Sequence, residues 1–89
     1  MIGKKLTVKN LAGLHLRPAG ELCNLALKFE SKITIKFRNK EFNAKSVLSV
    51  LSACVQQDDE IEVICIGSDE EKALEEIVRF IENEAHQVS

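Results

Sequence analysis

A histidine two residues ahead of an arginine, with a proline next, is the arrangement in this chain of 89 residues that holds the most chemistry: Gly13-Leu14-His15-Leu16-Arg17-Pro18-Ala19. Pro18 fits the first turn of a helix, where a missing N–H costs nothing. Behind it, Ala19, Leu22, Leu25, Ala26 and Phe29 recur at helical spacing and predict one apolar face. His15 then stands where unpaired amide N–H groups and the positive end of a helix dipole converge, beside a guanidinium. Such a place holds an anion, most naturally a phosphate. A neutral imidazole, with an unperturbed pKa of ~6.5, is also a nucleophile at physiological pH. A phosphoryl group on it would be met by the amides of Leu16 and Arg17 and by a charge-assisted bond from the Arg17 side chain. Phosphoryl transfer asks a protein mainly for positioning and charge stabilisation, so a small convex domain can carry the group without a pocket. Taken alone, the same residues also fit an exposed histidine at a helix start next to a solvated arginine. A zinc site finds no support: His86 lies in the tail, and no cysteine or second histidine stands at ligand spacing from His15.

A second segment adds to the first. Ser46 precedes Val47, Val50, Leu51 and Cys54, an i, i+3, i+4, i+7 stripe, so Ser46 is expected to cap a helix. Leu48 and Val55 lie about a quarter turn off that stripe at 100° per residue. Leu48, flanked by Lys45, Ser49 and Ser52, is expected to face water, either as an ordinary exposed leucine or as part of a docking patch.

The elements that must position these residues follow from periodicity. Lys5 to Asn10 alternates around Leu6 and Val8 and predicts a half-buried strand. The first helix is expected from Leu16 to Leu27. Lys32 to Arg38 alternates, with Ile33, Ile35 and Phe37 facing one way and Lys32, Thr34 and Lys36 the other. Asn39-Lys40 suits a tight turn, and Glu41 to Asn43 returns as a short strand. A helix over Ser46 to Val55 follows, then Ile61 to Ile66, the most apolar strand and the one expected at the centre of the sheet. Ser68 and Glu71 read as a capping box ahead of a helix that buries Leu74, Ile77, Val78 and Ile81. His86 to Ser89 reads as a frayed tail. The order βαββαβα, with strands polar on one face, predicts an α+β open-faced sandwich whose antiparallel sheet is covered by helices on one side.

Composition bounds the rest. Residues 1–89 are expected to form a single domain, large enough to fold alone and too small to enclose a deep cavity. Hydrophobic residues are 45% and charged residues 29%, which excludes a disordered chain. The first residues lack an apolar stretch suited to a signal peptide or membrane span, so a cytoplasmic location is expected. Cys23, Cys54 and Cys65 form no C-x-x-C pair and are expected to be small core residues. The net charge of −2 hides an asymmetry: ten Lys/Arg against three Asp/Glu in residues 1–57, and two against eleven in residues 58–89. An acidic partner or anionic ligand would approach the basic part first. Nucleic acid is disfavoured, because the basic residues are scattered and four phenylalanines offer no stacking platform.

Together, G-L-H-L-R-P-A and F-N-A-K-S-V-L-S-V-L-S resemble the two signature segments of HPr, the histidine-containing phosphocarriers of the bacterial phosphoenolpyruvate-dependent sugar phosphotransferase system. The likeness extends over nearly the whole chain in length, element order and motif spacing. It implies four antiparallel strands covered by three helices. It implies a protein that is not itself an enzyme, phosphorylated at Nδ1 of His15 by enzyme I from phosphoenolpyruvate and passing the group to enzyme IIA components for sugar uptake. By the same resemblance Arg17 contacts the phosphate, Ser46 is the target of an HPr kinase/phosphorylase, and Val47, Leu48 and Leu51 dock partners. Leu16 adds apolar bulk beside the histidine, where relatives carry a small or β-branched residue. Gly20, Ser49 and Asp58 also depart from the usual pattern, Ser49 and Asp58 standing where many relatives have glycine. No cofactor, metal, nucleic acid or membrane insertion is implied, and a monomer is expected because no long apolar edge stands out. A regulatory relative that passes phosphate to metabolic regulators shares the histidine motif. A non-catalytic binding module of similar topology would leave His15 unmodified.

Overall fold

A computed structural model describes residues 1–9, 13, 14 and 16–84 of the chain. The elements run β1 (Ile2–Thr7), α1 (Leu16–Ala26), β2 (Lys32–Phe37), β3 (Lys40–Asn43), α2 (Val47–Ser52), β4 (Glu60–Ile66) and α3 (Glu70–Glu84). All strand pairs are antiparallel, in the order β1-β4-β2-β3. Alternation decides which side of the sheet is covered. Ile33, Ile35 and Phe37 of β2 and Ile61, Val63 and Cys65 of β4 are buried on one face. Ala19, Leu22, Cys23 and Ala26 of α1 and Ala73, Ile77, Val78 and Ile81 of α3 close over them. This is the open-faced sandwich the periodicity predicts, with β4 inside the sheet.

Several expectations shift in detail. The first strand lies earlier than Lys5–Asn10: its ladder with β4 runs from Ile2 opposite Cys65 to Thr7 opposite Glu60. Beyond it Val8 is still buried, but it pairs with a loop, its N–H donating to the Asp59 carbonyl at 2.9 Å and its carbonyl accepting from Asp58 at 2.7 Å. Asn10 lies outside the described residues, as does the tail from His86. The hairpin turn is Arg38-Asn39, with Phe37 opposite Lys40. Both turn residues have positive φ, 53° and 65°, the conformation that matches the twist of the flanking strands. Thr34 is buried although it points away from the helices, opposite Ile64 and Asn43.

The second helix is shorter than Ser46–Val55, and this corrects two side-chain assignments. Ala53 is its C-cap, and Cys54 takes a left-handed φ of 55° that ends the helical period. Cys54 is therefore exposed, not a core residue, and Val55 is buried, not off the buried stripe. The other two cysteines are buried as expected.

The start of α3 is also corrected. Asp69, not Ser68, precedes the helix, and its carbonyl accepts from the Ala73 N–H at 2.9 Å. The Asp69 carboxylate turns to the α1–β2 connection, accepting from the Glu30 and Ser31 amides at 2.9 Å each and from the Ser31 hydroxyl. Ser68 donates to Glu30 at 3.1 Å, and Glu70 takes the reach-back role expected of Glu71, accepting from the Gly67 amide at 3.1 Å. The Ser31 hydroxyl first, and then the Glu30 amide, hold the Asp69 carboxyl below its ordinary pKa. A carboxylate with a lowered folded pKa contributes stability above its unfolded value of ~3.9 and loses it as pH falls through the folded one. Asp69→Asn is therefore expected to melt lower than wild type at pH 7 and to lose less below about pH 4. Parallel Tm-against-pH curves for the two proteins would remove Asp69 from this role.

Candidate functional site

His15 itself lies outside the described residues; the chain on both sides of it does not. Gly13 has φ +64°, and a Cβ there would sit 2.3 Å from the Val55 carbonyl oxygen. Only glycine meets both conditions without strain. The Leu14 N–H donates to that same Val55 carbonyl at 3.0 Å, and the Leu14 side chain is buried. The residue before His15 is thus fastened to the turn after α2, and the residue after it opens α1. Pro18 is buried in the first helical turn, which contains no acidic residue. The turn's amides have no i−4 partner within the helix, so the positive end of α1 is not offset by carboxylates of its own first turn. Arg17 is exposed, its Nε donating to Glu21 Oε1 at 3.4 Å.

Ser46 caps α2 as predicted: its hydroxyl accepts from the Ser49 N–H at 3.2 Å, and its carbonyl from the Val50 N–H at 3.0 Å. The neighbouring Lys45 ammonium is occupied, donating to the Phe29 carbonyl at 2.7 Å. The apolar positions beside Ser46 divide. Leu48 is 80% exposed, whereas Val47 and Leu51 are half-buried against the core. The side chain of Leu16 lies outside the described residues. Burial pushes the Cys65 thiol up to about 11, aided by the Glu70 and Asp69 charges, and it raises Cys23 as well. Neither thiol is a nucleophile at neutral pH. Among the described residues no three His, Cys, Asp or Glu side chains gather as a metal site.

Two features escaped the reading of the sequence. The Arg17–Glu21 spacing of four was visible and signals a shared helix face. The Gly13–Val55 contact joins residues far apart in the chain, and nothing local announces it.

Residues 2–83 match the family model described as "PTS HPr component phosphorylation site". The chain belongs to the HPr family. Among its relatives, the HPr-like protein Crh of Halalkalibacterium halodurans is 37% identical over 84 residues, 94% of this chain and 100% of that one. The phosphocarrier protein HPr of Xylella fastidiosa is 35% identical over 83 residues, 93% of each. The solved HPr-C-His structure of Thermoanaerobacter tengcongensis superposes with a TM-score of 0.94 at 35% identity, covering 100% of both chains. An HPr dimer from that organism gives 0.77 at 36% identity, over 98% of this chain and 100% of that one. As an HPr-family member the chain is a phosphocarrier of the phosphotransferase system and not an enzyme. No helix among the described residues is long and apolar enough to cross a membrane.

The tight approach at Gly13 is directly testable. Gly13→Ala is expected to lower stability by more than ~1 kcal/mol, because the native φ and the Val55 carbonyl both exclude a Cβ. A chemical-denaturation midpoint equal to that of wild type would show that the loop before His15 does not need this conformation.

Proposed function

We propose that His15 accepts a phosphoryl group at Nδ1 from phosphoenolpyruvate through enzyme I and donates it to enzyme IIA components that serve sugar uptake. The reading rests on one observation above the others. A family model for the HPr phosphorylation site spans residues 2–83, and in this chain that span contains a histidine directly before α1. The geometry supports it: the loop ahead of His15 is pinned to Val55, and α1 presents its positive end beside an exposed arginine. In this role Arg17 supplies charge-assisted hydrogen bonds to the phosphoryl oxygens, and first-turn amides of α1 supply the rest. Leu48, with Leu16 and the outer edges of Val47 and Leu51, forms the apolar ground on which the partners dock. The working unit in this reading is a cytoplasmic monomer, with sedimentation at micromolar concentration as the check against a dimer like that of the Thermoanaerobacter protein.

Ser46 is the regulatory position in the same reading. A phosphate there adds about −1.5 to −2 charges at a helix N-terminus, where they are tolerated. The cap bond to Ser49 already orients that oxygen, so the fold stays and the change is electrostatic: acidic partner surfaces are repelled beside Leu48. Ser46→Asp is expected to slow phosphorylation by enzyme I without altering the far-UV spectrum, and equal kinetics would count against regulation at this position.

The similarity to Crh, whose Bacillus subtilis form is described as a catabolite repression HPr, supports a second reading, a carrier directed at regulators and not at sugar transporters. Both readings meet the same first experiment. The chain is incubated with enzyme I, magnesium and labelled phosphoenolpyruvate beside His15→Ala, and purified IIA proteins are then added. Acid-labile, alkali-stable label that is absent from the variant and moves to a IIA protein is the expected result. Label that stays on His15 favours the regulatory carrier, and no label at all sinks both.

A further inference from the structure

α1 contains one cation and one carboxylate, Arg17 and Glu21, and they face each other at 3.4 Å across one helical turn. Their order is the less favourable one for a helix. The cation lies toward the positive N-terminal end and the anion away from it, so the pair does little for the stability of α1. What it does fix is the guanidinium. Glu21 Oε1 engages Nε, the secondary nitrogen of the side chain, and this contact leaves the two terminal NH2 groups outside it. Those groups form the planar fork that binds two phosphate oxygens at once. A guanidinium restrained through Nε keeps its fork available, whereas one free to rotate spends part of its time in orientations that cannot bind.

We infer that Glu21 is a positioning residue for phosphoryl transfer: it holds Arg17 by Nε so that the guanidinium fork is ready for the phosphoryl group at His15. The inference rests on the reading of His15 as the carrier residue. In the step it serves, the Nδ1 lone pair of His15 forms the new N–P bond as the donor's bond to phosphorus breaks, and the donor group leaves with that electron pair. Arg17 neutralises charge on the equatorial oxygens as they move, and Glu21 touches none of the reacting atoms. The added carboxylate also repels the incoming phosphoryl group. That repulsion is screened in an exposed site, while the guanidinium stands as the shared counter-charge between the two anions.

The test compares kcat and KM of wild type, Glu21→Ala and Glu21→Gln as substrates of enzyme I, each also in an Arg17→Ala background. Glu21→Ala is expected to lower kcat about two- to fivefold, the range an exposed ion pair can carry, with KM little changed. Glu21→Gln, whose amide oxygen still accepts from Nε, is expected to recover most of that loss. In the Arg17→Ala background Glu21→Ala is expected to have no further effect. An equal factor in both backgrounds would show that Glu21 does not act through Arg17, and an unchanged or raised kcat would also overturn the assignment. If wild type takes no label at all, the carrier reading has failed and this inference falls with it. Normal labelling with indifferent Glu21 variants removes Glu21 alone.

Discussion

The alternate residues of β4 bind the molecule together. Ile61, Val63 and Cys65 are buried in the middle of the sheet, with β1 hydrogen-bonded on one side and β2 on the other. At roughly 25 cal/mol per Å2 of apolar surface, each such side chain contributes on the order of 1.5–3 kcal/mol. The other elements build outward from this strip: α3 covers it, α1 packs against α3, α2 packs against α1 and β3, and β3 joins the sheet through β2. Because β1 pairs antiparallel with β4, ending with Thr7 opposite Glu60, the loop after β1 and the segment between α2 and β4 are brought side by side. The closeness of Leu14 to Val55 is thus a consequence of sheet order more than of any local preference.

That contact has a cost, visible in the backbone. Cys54 takes a left-handed φ with a side chain present, and Gly13 takes one where no side chain fits. A non-glycine residue in that region costs of order 1 kcal/mol, and it is retained when the surrounding packing over-determines it. Here the packing is the burial of Leu14 and Val55 on either side of the hydrogen bond that joins them. In the proposed function the histidine has to be held steady for transfer, and the hydrogen bond from Leu14 to Val55 fixes the residue directly before it.

Much of this was legible in the residue pattern, and the failures share a cause. The period-2 run in β2, the nearly continuous apolar run in β4 and the period-3.6 stripes in α1 and α3 are long enough to declare these elements, and the sandwich follows from them. Ser46 was readable as a cap because capping is local: a hydroxyl and the amide three residues on. The ends of elements were not. The apolar stripe Val47, Val50, Leu51, Cys54 continues past the point where Cys54 turns left-handed, so extrapolating the helix buried the wrong one of Cys54 and Val55. Ser68 and Glu71 had the right spacing for a capping box. The two amides at Glu30 and Ser31, far away in the chain, drew Asp69 toward them and moved the helix start by one residue. At the site, the residue types His, Arg and Ser carried the family resemblance; Glu21 and Ser49, which engage Arg17 and Ser46, are local, but the Val55 carbonyl that holds Leu14 comes from a distant segment and left no local trace.

The brevity of α2 links the two candidate chemistries. Its six residues have one fully buried member, Val50, so burial alone does not hold the helix down. It is tied instead at its ends. Ser46 caps the first turn, Ser49 accepts from the Asn43 amide at 2.9 Å, and just past the last turn Val55 holds Leu14. At 1.5 Å per residue the helix is only about 9 Å long. Ser46 and the anchor of the His15 loop therefore stand at opposite ends of one short rigid body, with exposed Leu48 between them. In the proposed function a partner that covers α2 reads both ends at once. Charge placed at Ser46 needs no conformational relay to be felt there, since it already lies within about a Debye length of the surface on which the partner must settle.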